Sequence, residues 1–125
     1  MIAISETWIT KHRLFIHNLE DYNFVHNSSS YDHGGVGLFI LNSYSYKILD
    51  DVKIDSPGCE ELWLEVMLNQ NMHKVTIGSI YRHPDYKCDT FCNNIEKIVE
   101  YFDDVKKSIS LVEILILIFI KIIYK

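Results

Sequence analysis

Carboxylates, thiols, histidines and one tyrosine–arginine pair are the side chains in this sequence with chemistry to offer. Glu6 ends a strand-like opening, Met1-Ile2-Ala3-Ile4-Ser5. A carboxylate there is by default solvated, although strand ends commonly present functional groups to loops. Tyr81-Arg82 closes a second apolar run. The tyrosine reads first as a half-buried strand aromatic, and the arginine as a phosphate contact or a structural salt link. Cys88 and Cys92 lie four apart, on one face if helical, but no second Cys/His pair completes a tetrahedral zinc site. Small, semi-buried thiols are the expectation. The six histidines form no HExxH or His-x-His pair, which gives a zinc hydrolase little support. Gly34, Gly35 and Gly37 lack the GxxxxGK[ST] spacing of a phosphate cradle, so a turn entering a strand is expected instead.

The elements that must position these groups read as follows. Gly34-Gly35-Val36-Gly37 leads into the short apolar strand Leu38-Phe39-Ile40-Leu41, a turn covers 42–45, and a second strand follows around Tyr46–Leu49. After the turn signal Pro57-Gly58, Glu61–Leu68 alternates strictly. Leu62, Leu64, Val66 and Leu68 share one face; Glu61, Trp63, Glu65 and Met67 share the other. Asn69-Gln70-Asn71 turns the chain, and Lys74–Tyr81 returns as a strand antiparallel to its neighbour. Phe91, Ile95, Ile98, Val99, Phe102 and Val105 recur at helical spacing, with Asp89 as N-cap and Lys106-Lys107 at the C-terminal end. The pattern is α/β, with helices layered on a mixed or antiparallel sheet.

A chain of 125 residues holds one core, and 48% apolar content with 13% aromatics excludes an extended disordered chain, a collagen or a coiled coil. The formal charge of -5 argues against a globally basic nucleic-acid binder. That charge is local: six acids and one base lie between Asp50 and Glu65, and the rest of the chain is balanced. Three cysteines make a sparse, odd set that favours a reducing, intracellular compartment, and no disulfide partner is expected. An acid as early as Glu6 does not fit a secretory signal peptide. Residues 111–125 form an apolar tail distinct from residues 1–110. Leu111–Tyr124 is shorter than the ~20 residues of a membrane-spanning helix and carries Glu113 and Lys121. A buried strand over its first half is the expectation, with a membrane anchor or a frameshifted terminus as the other readings.

Three segments in order carry a family resemblance: Ile4-Ser5-Glu6-Thr7-Trp8, then Gly34-Gly35-Val36-Gly37-Leu38-Phe39-Ile40, then Ile77-Gly78-Ser79-Ile80-Tyr81-Arg82-His83-Pro84. They resemble successive motifs of the endonuclease/exonuclease/phosphatase family, in the form of the apurinic-like endonuclease domain of non-LTR (LINE-type) retrotransposons. Glu60–Val66 resembles the strand between the second and third of these motifs. The resemblance covers Ile2 to about Phe102, the middle of the family domain. It implies a partial two-sheet β-sandwich flanked by helices, with the active site at one end of the sheets. It further implies Mg²⁺-dependent phosphodiester hydrolysis, with DNA nicked so that its 3′ hydroxyl primes reverse transcription, and a nuclear location within a functional retrotransposon protein. On this resemblance Glu6 is the metal ligand, Tyr81 the catalytic residue reaching the scissile phosphate, and Arg82 a candidate phosphate contact. His83 departs from the family's Tyr-Arg-Pro-Pro run and receives no role.

Other parts of the family's site have no counterpart. The Asn preceding the glutamate motif would lie upstream of Met1, and the closing Ser-Asp-His segment beyond Lys125. The Gly-Asp-Phe-Asn motif should end the strand after the long helix, but 110–120 contains neither Asp nor Asn. Without groups to orient water and remove its proton, the expectation is an inactive fragment of such a domain. A non-catalytic binding module of the same fold and a small membrane-tethered protein are the alternatives.

Overall fold

Strict alternation over Glu61–Met67 fixes how one long strand lies. The computed structural model describes residues 1–13, 18–53, 57–68, 74–108 and 112–120. Within them, β1 (Ile2–Ser5), β2 (Tyr22–Asn27), β3 (Val36–Leu41), β4 (Ser45–Ile48), β5 (Cys59–Met67) and β6 (Lys74–Arg82) precede α1 (Cys88–Ser108) and β7 (Val112–Ile120). The fold is mixed α/β, with two antiparallel three-stranded units and a C-terminal helix. One sheet has the order β1-β3-β2. In the other, β4, β5 and β6 are antiparallel and β7 continues the sheet parallel to β6, giving β4-β5-β6-β7. Parallel neighbours need a crossover between them, and α1 supplies it.

The two faces of β5 enter two different cores. Leu62, Leu64 and Val66 meet Val75, Ile77 and Tyr81 of β6 and, from the first sheet, Val25, Val36, Leu38 and Ile40. The sheets therefore lie face to face over an apolar layer. The opposite face carries Trp63, which joins Ile80, Val52 and the α1 residues Phe91, Ile98 and Phe102. The Trp63 and Phe102 rings stand 5.1 Å apart. Gly78 lies opposite Trp63 in the β5–β6 register, and a Cβ there would collide with the indole. The missing side chain lets the ring lie on the β6 backbone. Asn27 Nδ2 donates to the Glu61 carbonyl at 2.8 Å, tying β2 of one sheet to β5 of the other.

Among the described side chains the helix differs from expectation at two residues, and those of Val105, Lys106 and Lys107 lie outside them. Asp89 lies inside the first turn, not at the cap: α1 begins at Cys88, and the Lys87 carbonyl accepts from the Phe91 N–H at 3.1 Å. An acid there still suits the positive end of the helix dipole. Val99 is exposed, because the stripe that reaches the sheet is Phe91, Ile95, Ile98 and Phe102 and a further apolar residue falls outside it. Cys88 and Cys92 are exposed where semi-buried thiols were expected, and Cys59 is half-buried. A hydrogen bond with Cys88 is the main influence raising the Cys92 thiol pKa. Residues 112–120 of the apolar tail pair along β6 from Lys74↔Val112 to Arg82↔Ile120, as the last strand in the order of that sheet. The turn expected at Asn69-Gln70-Asn71 and the tail beyond Ile120 lie outside the described residues.

Candidate active site

One end of the sandwich gathers the chain just after β1, β2 and β6 and just before β3 and β5. Backbone pairing continues past β1 in irregular form: the Thr7 N–H donates to the Gly35 carbonyl at 3.3 Å and the Trp8 N–H to the Gly34 carbonyl at 2.9 Å. Two residues here adopt left-handed backbone that L side chains rarely take, Glu6 at φ 52° and Trp8 at φ 57°. Gly34 and Gly35 follow the same region at φ 100° and 89°. A Cβ on Gly34 would sit 2.6 Å from Glu60 Oε2 and 2.9 Å from His83 Cε1. The glycines thus enter β3 as a turn, and they let its backbone close onto a buried carboxylate.

The fold brings Glu6 and Tyr81 together across 75 residues of sequence: the Tyr81 hydroxyl donates to Glu6 Oε1 at 2.9 Å. Tyr81 faces the inter-sheet core and is 1% exposed, well beyond the half-burial expected of it. Desolvation, the hydrogen bond to Glu6 and the negative charges of Glu6 and Glu60 push its pKa above the ordinary tyrosine value, with Arg82 opposing. Tyr81 is therefore a neutral phenol, able to donate one proton to an oxygen.

Arg82 does not join this pair. As the next residue on β6 it points to the opposite face of the sheet. There its Nη1 donates to the carbonyls of His83 at 3.3 Å, Pro84 at 3.4 Å and Tyr86 at 2.5 Å. It holds the 83–86 turn, an arrangement distinct from both the phosphate contact and the salt link considered from sequence.

Beside Tyr81 lies a group that sequence reading passed over. Glu60 is the β5 partner of Tyr81 and shares its inward face, yet it is a carboxylate and only 6% exposed. Burial of such a charge is costly unless its oxygens are satisfied. His83 Nε2 lies 3.0 Å from Oε1, Ser29 Oγ also contacts Oε1, and the Gly35 N–H donates to Oε2. Ser29 Oγ lies 2.6 Å from the His33 carbonyl as well; with one proton to give, it serves one of these acceptors at a time. His83, given no role from sequence, is 7% exposed and ties the β6 end to this network. The signal that could have found Glu60 was its phase, since it stands on the same face of the strand as Leu62, Leu64 and Val66.

Mg²⁺ usually takes one or two protein carboxylates and fills its other positions with water and substrate phosphate. Glu6 fits as one such ligand, being only partly buried at a strand end. Glu60 does not extend the set, because its oxygens already serve Ser29, Gly35 and His83. Among the described residues no group of three or more His, Cys, Asp or Glu side chains converges as a metal site. Comparison with protein-family models, curated proteins and solved structures finds no match to this chain.

Proposed function

We propose that this chain is part of a Mg²⁺-dependent DNA endonuclease domain of the retrotransposon kind, folded as a partial two-sheet sandwich, and that the 125-residue polypeptide alone is inactive. The observation that carries this reading is the 2.9 Å bond between Tyr81 and Glu6, the two residues that the separate sequence motifs single out. Their position at one end of two facing sheets is where such a site belongs. A bound Mg²⁺ would supply the positive charge that neutralises a phosphodiester and stabilises its leaving oxygen. Glu6 would hold that ion, and the neutral Tyr81 phenol, with one proton to give, would turn it from Glu6 to a phosphate oxygen as negative charge develops there.

No hydrolytic step follows from these two groups alone. An attacking water must be oriented and must lose a proton. β7, where the Gly-Asp-Phe-Asn motif would end its strand, reads Val-Glu-Ile-Leu-Ile-Leu-Ile-Phe-Ile, without Asp or Asn. The occupied Glu60 carboxylate offers no substitute base. The test is a nicking assay with the purified full chain, Mg²⁺ and supercoiled plasmid, in which the supercoiled form is expected to persist. A non-catalytic binding module of the same fold is the second reading; the exposed Trp8 ring at the same end of the sandwich favours it.

A further inference from the structure

The two edges of the four-stranded sheet are guarded differently. At one edge β4 has four residues, Lys47 among them, and a short, charged edge strand is a common protection against pairing with another chain. At the other, β7 runs for nine residues, about 30 Å of backbone. It contains no proline or glycine, and Glu113 is its one charged residue. β6 meets one of its edges, and among the described residues no strand meets the other. That edge is a row of backbone N–H and C=O groups in a run of apolar, β-favouring residues, onto which a further strand can add.

Charge selects the strand that fits it. The sequence continues from β7 into Lys121, eight residues from Glu113. That even spacing puts both on the same face of any extended strand that holds them. Let two such strands run antiparallel about a two-fold axis at Leu117. Ile116 then lies opposite Ile118, Leu115 opposite Phe119 and Ile114 opposite Ile120. One step further, Glu113 of each copy lies opposite Lys121 of the other. Apolar positions meet apolar ones, and both charges are matched. Parallel in-register pairing instead sets Glu113 against Glu113 and Lys121 against Lys121, which is unfavourable. We infer that β7 is a self-association edge: a second copy of this chain pairs with it antiparallel, joining the two four-stranded sheets into one. The two-fold axis uses both free β7 edges, so association closes at the dimer.

Sedimentation equilibrium of the full chain in detergent-free buffer, at rising concentration, is expected to show a reversible monomer–dimer equilibrium. Glu113→Lys or Lys121→Glu alone sets like charges opposite each other at both ends of the paired strands. Either should weaken the dimer by roughly ten- to a hundred-fold. The double variant, Glu113→Lys with Lys121→Glu, restores opposite charges and is expected to bring the dimer back. That recovery separates pairing from loss of fold, because a second charge reversal does not repair a misfolded chain. A monomer at every concentration overturns the inference. So does a dimer that ignores both single reversals, a double variant that fails to recover while its circular dichroism matches the parent, or an assembly that keeps growing past two copies.

Discussion

Tyr81 keeps its proton because burial and two carboxylates act in the same direction on its phenol. The consequence for stability has a definite sign. An unfolded tyrosine ionises near pH 10, whereas the folded one resists, so this contribution is intact below about pH 10 and is lost as pH rises beyond it. Glu6→Gln removes the charge that helps hold the proton, and ultraviolet titration of the tyrosines should show the most resistant phenol ionising at lower pH than in the parent. Glu60 makes the second residue-scale case. Glu60→Ala strips the partner from His83, Ser29 and the Gly35 N–H in a buried space and should cost about 3–5 kcal/mol in denaturant unfolding. Glu60→Gln, which keeps the shape and one acceptor, should cost less. That Glu6 and Tyr81 come together could be anticipated, because short motifs mark both. The pairing of Glu60 with His83 could not: Glu60 was counted within an acidic run, and His83 was judged only by its departure from a motif. Their meaning depends on a Ser29 and a Gly35 that sequence distance hides.

At the scale of elements, periodicity served where one period held. β5 alternates from Glu61 to Met67: one face is buried under the other sheet, and on the opposite face Trp63 is buried under α1 while Glu61, Glu65 and Met67 stay partly exposed. Among the described residues, the helix stripe was read with Val99 too many. Val99 follows Ile98 by about 100° around the helix and turns to solvent. Thermal or urea unfolding separates the two kinds of apolar position. Phe102→Ala, which empties the space beneath Trp63, should cost about 3–5 kcal/mol, and Val99→Lys should stay within about 0.5 kcal/mol. Residues 112–120 show the converse difficulty. A run that is apolar at almost every position has no period to read, so a parallel strand and an anchor look alike in sequence. The parallel pairing with β6 is long-range, and only the fold supplies it.

For the whole molecule, net charge says little about the Glu6 end, because the charge is local. The acidic surplus lies between Asp50 and Glu65, and three of those acids are consumed in structure. Glu60 is buried in the network, Glu61 accepts from the Trp63 indole at 2.8 Å, and Glu65 pairs with Lys74 at 2.9 Å. What the fold sets at the Glu6 end is one partly buried carboxylate and a neutral phenol, and on the proposed reading these hold an ion and a phosphate without the Asp and Asn that the family motif would add. Binding and turnover should therefore separate in this chain. Read side by side on one sample of full chain, Mg²⁺ and supercoiled plasmid, a mobility shift should report bound DNA while the plasmid stays supercoiled. Steady Mg²⁺-dependent conversion to relaxed circle, lost with Glu6→Ala, would contradict it and show a complete nuclease site.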